Sequence, residues 1–104
     1  MTEKPSQLLK DFLDWAEKTK LRCKDGVTVK IELGPPYDKQ CAFASFDDDV
    51  SGALVTIWDS GEIERQAYHI DSEDLLLWAY EENIDSLQIE NFAQPVIAGY
   101  LNSN

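Results

Sequence analysis

A chain of 104 residues with 43% hydrophobic residues, three Trp, four Tyr and four Phe holds enough apolar material for one packed domain and too little for two. Its 20 Asp and Glu against 9 Lys and Arg give a net charge of -11, which disfavours direct nucleic-acid binding, because phosphate contacts need clustered Lys and Arg. The longest apolar stretch, Leu75 to Tyr80, falls far short of a bilayer span.

The first element predicted is a helix from about Pro5 to Arg22. Leu8, Leu9, Phe12, Leu13, Trp15, Ala16 and Thr19 recur on one face, and Lys10, Asp11, Asp14, Glu17 and Lys18 fill the other. This N-terminus turns amphipathic at once instead of forming the apolar core of a secretory signal, so a single cytoplasmic domain over residues 1–104 is expected. Asp25-Gly26 breaks the helix, and from Val27 the period becomes two. Val27, Val29, Ile31 and Leu33 alternate with Thr28, Lys30 and Glu32, a half-buried strand stopped by Gly34-Pro35-Pro36. Gln40 to Phe46 and Gly52 to Trp58 are two further strands joined by Asp47-Asp48-Asp49. Asp59-Ser60-Gly61 then turns the chain into a fourth strand, Glu62 to Ile70.

Leu75 to Glu82 is open to two readings. Asp71-Ser72-Glu73-Asp74 can cap a helix or form a hairpin loop. The alternation of Leu76, Trp78 and Tyr80 with Leu75, Leu77 and Ala79 favours a fifth strand. A last helical stretch begins at Asp85-Ser86, with Ile89, Phe92, Ala93, Val96 and Tyr100 on one face and Pro95 expected to kink or split it. The fold class is therefore α+β: an N-terminal helix packed on an antiparallel meander of about five strands, followed by a kinked C-terminal helix.

The charge is unevenly spread. Residues 1–39 hold eight basic and seven acidic residues, whereas residues 40–104 hold Arg65 alone against thirteen acids. Many cytosolic proteins are acidic simply for solubility. An imbalance confined to one part of the chain points instead to a basic partner, which a one-signed surface attracts and steers. The positions such a partner would meet are Asp47, Asp48, Asp49, Trp58, Asp59, Glu62, Glu64, Glu73 and Asp74, with Trp and Tyr side chains as candidate anchors. Trp15 is assigned to the core. At least one of Trp58 and Trp78 is expected under a helix, and the two are expected near each other in one layer with Tyr68 and Tyr80.

Catalytic chemistry finds little support. His69 is the single histidine and sits in a strand pattern, where a packed or surface role is ordinary. Cys23 and Cys41 are not in a CxxC arrangement and read as reduced, partly buried thiols. Asp47-Asp48-Asp49 lacks the rest of a calcium loop. No catalytic residue, metal site or cofactor is assigned.

Ordered along the chain, Phe12-Leu13-Asp14-Trp15, the strand at Val27, the hairpin Val55-Thr56-Ile57-Trp58-Asp59-Ser60-Gly61-Glu62, and Tyr68-His69-Ile70-Asp71 before Trp78 resemble the TriTu-type immunity proteins of bacterial polymorphic-toxin and contact-dependent growth-inhibition systems. The resemblance spans roughly residues 8–82. It implies a non-enzymatic cytoplasmic antidote that binds a cognate basic toxin domain, often a nuclease, as a monomer in a 1:1 complex. The alternative of another class is a small acidic secretion-type chaperone, usually a homodimer, that binds a secreted partner.

Overall fold

In a computed structural model, residues 6–34, 40–70, 72 and 75–102 are described. The first helix, α1, spans Gln7–Lys20. Ser6 caps it by accepting from the Leu9 amide at 3.3 Å, and Lys18 and Lys20 in the last turn complement the helix dipole. Pro5, expected at the start of this helix, lies outside the described residues. Leu9, Phe12, Ala16 and Thr19 are buried along one stripe, and Leu8, Leu13 and Trp15 pack beside it. The buried Thr19 hydroxyl satisfies itself by donating to the Trp15 carbonyl at 2.7 Å.

Five strands follow: β1 (Thr28–Leu33), β2 (Cys41–Asp47), β3 (Ser51–Trp58), β4 (Ile63–His69) and β5 (Leu75–Glu81). They form one antiparallel sheet in chain order, the expected meander. The ambiguous segment at Leu75 is thus a strand. Gly61, at φ +98°, closes the β3–β4 turn in a backbone conformation that disfavours a side chain.

The C-terminal stretch starts at Asp85, whose carboxylate accepts from the Leu87 amide while the Gln88 side chain accepts from the Asp85 amide. A 3-10 turn (Ser86–Gln88) leads into α2 (Ile89–Ile97), and a second such turn (Ala98–Tyr100) ends it. Pro95 does not split the helix, which stays α-helical through it.

Strand alternation sorts the sheet into two faces. Ala42, Ala44 and Phe46 of β2, Ala53, Val55 and Ile57 of β3, and Ile63 of β4 are all buried under the helices. The small Ala residues let α1 and α2 approach the strands closely, while Phe12, Phe46 and the branched side chains fill the space between. The segment after α1 meets the one after α2: Lys24 N–H donates to the Tyr100 carbonyl, Asn102 N–H to the Arg22 carbonyl, and Cys23 pairs with Leu101 in an isolated antiparallel bridge. Cys23 and Cys41 are free and half-buried, and burial pushes the Cys23 thiol above its usual range. No helix among the described residues is long and apolar enough to cross a membrane.

Candidate functional site: the open face of the sheet

Because α1 and α2 occupy one side of the meander, the alternate residues of every strand are left on the other. The register sets them in rows: Glu32–Phe43–Thr56–Glu64–Tyr80, then Lys30–Ser45–Leu54–Gln66–Trp78, then Thr28–Asp47–Gly52–Tyr68–Leu75. Cys41 pairs with Trp58 at one end. Among the described residues the face is therefore a mixture of aromatic rings and carboxylates with one cation, Lys30, which lies 3.5 Å from Glu32.

Its polar groups are tied to its rings. Glu64 accepts from the Trp78 indole N–H at 2.9 Å and from the Gln66 amide at 2.8 Å. Tyr68 donates to Asp47 at 3.2 Å, across a strand that carries Gly52 between them. A Cβ on Gly52 would come within 2.5 Å of the Tyr68 ring, so this glycine is the space in which the ring lies. Burial first, then the Asp47 charge, pushes the Tyr68 phenol above its ordinary range.

The predicted binding residues separate into four groups. Asp47, Trp58, Glu62 and Glu64 lie on or beside the open face, with the Ser60 hydroxyl donating to Glu62 at 2.6 Å. Asp48 instead builds the β2–β3 turn, accepting from the amides of Val50 and Ser51 at 2.8 and 2.9 Å. Those two hydrogen bonds hold its carboxyl below the usual carboxylate range. Asp49 and Asp59 are exposed at opposite ends of β3. Glu73 and Asp74 lie outside the described residues.

The tryptophans depart from expectation in two ways. Neither Trp58 nor Trp78 is under a helix: Ile57 and Ala79 hold the helix-side positions next to them. They share the open face with Tyr68 and Tyr80, but two strands across and four residues along separate them, roughly 16 Å at ordinary sheet spacings. Trp15 packs with Phe12 at a ring separation of 5.5 Å, as a core residue should, though its buried indole N–H finds no acceptor among the described residues.

Sequence reasoning placed Tyr68, Trp78 and Tyr80 only in a candidate aromatic layer, outside the named binding positions, and missed Gly52. The period-two pattern does put Tyr68 with Glu64 and Gln66, which was the available signal. It does not say which face stays bare. Arg65, the lone base of residues 40–104, points to the helix side, donating to the Phe92 carbonyl at 2.8 Å with its guanidinium 4.7 Å from the Phe92 ring. It is a structural clamp on α2. His69 is exposed at the end of β4. Among the described residues no cluster of three His, Cys, Asp or Glu side chains converges to hold a metal ion.

Compared with known proteins, the chain matches a family model described as "Immunity protein TriTu" over residues 10–94. The match takes in all five strands and most of α2, further than the resemblance read from the sequence. No curated protein and no solved structure matches it.

Proposed function

This chain belongs to the TriTu immunity-protein family, and from that premise we propose that it neutralises one cognate toxin domain in the cytoplasm by forming a stoichiometric complex with it. The single observation that carries the reading is the family match across residues 10–94. Supporting it, the exposed groups that the fold gathers are rings and carboxylates, suited to recognition of a basic surface. A nuclease is the toxin class this favours. Enzymes that handle nucleic acid present basic grooves, and a partner with a net charge of -11 is attracted to the path the phosphates would follow.

The mechanism in this reading is occupancy. The antidote makes and breaks no bond; it excludes substrate for as long as the complex lasts, so potency follows the dissociation rate. Titrating this chain against a candidate cognate toxin domain, with residual toxin activity as readout, should give an endpoint near one equivalent. His69→Ala should leave that endpoint in place. Full neutralisation at a small fraction of one equivalent, lost in His69→Ala, would replace occupancy with catalysis. A chaperone would bind the secreted partner without suppressing the toxic activity.

A further inference from the structure

The two edges of the sheet differ in what they show to solvent. On β1, Lys30 and Glu32 stand on the open side while Val29 and Ile31 are half-buried on the side that α1 covers. This is a guarded edge, since charge discourages another strand from adding. On β5, Leu75, Leu76, Leu77, Trp78 and Tyr80 are all exposed, Leu77 at 50% on the helix side and Trp78 at 55% on the open side. Helix α2 packs chiefly on β3 and β4 and leaves most of this last strand exposed, Ala79 alone being half-buried. Neither Lys nor Pro interrupts it. Its one edge-breaking device is a register shift at Leu76, at the very start of the strand. Among the described residues nothing pairs with its outer edge.

We propose that β5 is the toxin-docking edge: an extended segment of the cognate toxin domain, apolar and flanked by Lys or Arg, adds beside β5 as a sixth strand and covers Leu77 on one side and Trp78 on the other. The proposal rests on the antidote reading and names its surface. Main-chain hydrogen bonds along the free edge would supply affinity, and the side chains on the two faces specificity.

Charge selects the occupant. Glu64 stands beside Trp78, and Glu81 and Glu82 close the end of the strand. The nearest cation of the adjoining strand, Arg65, is committed to Phe92. A second copy of this chain is a poor fit. Each copy carries a net charge of -11, and β5 itself offers no cation to a second β5. A cationic segment meets the opposite situation. The Trp78 indole is held by its hydrogen bond to Glu64, so ring face and carboxylate are offered together, the combination that an Arg or Lys side chain can stack on and pair with at once.

The test uses an inactive variant of a candidate cognate toxin domain, one whose toxicity this chain suppresses, as the probe. Binding is measured for the unaltered chain, for Trp78→Ala, and for Leu21→Ala and Leu87→Ala, which alter exposed residues away from β5. Trp78→Ala should weaken binding by about 30-fold or more, as truncation of an interface anchor does, and the two remote variants by less than about threefold. Amides of residues 75–81 should become protected from hydrogen exchange in the complex, a readout that needs no variant to fold. Replacing Glu64, Glu81 and Glu82 by Gln together should lower the association rate and flatten its salt dependence. Unaltered affinity in Trp78→Ala with no new protection on β5 would overturn the docking edge while leaving the antidote reading standing. An unaltered chain that does not bind the toxic domain would overturn the antidote reading itself. Concentration-dependent self-association abolished by Trp78→Ala would assign the edge to a second copy and overturn the choice of partner.

Discussion

Phe12 is the residue on which the attachment of α1 to the sheet most depends. It is fully buried between the helix and the strands, in ring contact with Trp15. Phe12→Ala removes about 150 Å² of apolar surface from the core, which at ~25 cal/mol per Å² comes to about 4 kcal/mol. That lies within the range of about 3–5 kcal/mol typical of such truncations. The site has little means of closing the gap, because Ala42, Ala44 and Ala53 on the facing strands are already small. A domain of this size is stable by about 5–15 kcal/mol, so the variant should still fold with much of its margin gone. In urea, with a slope of about 1.5 kcal/mol per M, the midpoint should drop by roughly 2–3 M. Leu21→Ala, at an exposed position just past the helix, should change stability by under about 0.5 kcal/mol and serves as the control. A loss below about 1 kcal/mol for Phe12→Ala would show that α1 is peripheral and that the proposed division into a covered and an open face is wrong.

Arg65→Ala should cost about 2–4 kcal/mol in the same urea assay, because it removes the guanidinium's hydrogen bond to the Phe92 carbonyl and the cation from the ring; no loss would mean that α2 is held without the clamp. Asp48 is held below the ordinary carboxylate range by the Ser51 and Val50 amides, so its contribution is present above the unfolded-state value near 3.8 and is lost as pH falls through the lower folded-state value. The urea-midpoint gap between the unaltered chain and Asp48→Ala should accordingly be open at about pH 7 and narrow as the pH falls below the ordinary carboxylate range, and a gap that does not depend on pH would refute the turn-capping role.

The elements were legible in the sequence because helix and strand periods alternate cleanly along this chain. Leu9, Phe12, Ala16 and Thr19 repeat at helical spacing, and Ala42, Ala44 and Phe46 at spacing two, so each names its own buried face. Trp58 and Trp78 resisted because alternation assigns residues to sides without saying which side a helix will cover. The run Leu75 to Tyr80 is a further example: a strand apolar on both sides ordinarily lies inside a sheet, yet here it is last in chain order and forms the edge. Asp48 looked like part of an acidic surface, whereas its side chain is spent on the Val50 and Ser51 amides. Composition counts charges but does not see which of them the backbone has claimed.

The central claim is neutralisation by a one-to-one complex, and the most direct measurement is the mass of what forms when this chain and an inactive variant of a candidate cognate toxin domain are mixed in equal amounts. Light scattering on the gel-filtration peak should report 11.8 kDa for this chain alone, and for the mixture one species whose mass is that of one copy of each. A dimer of this chain alone with no heterocomplex in the mixture would contradict the account.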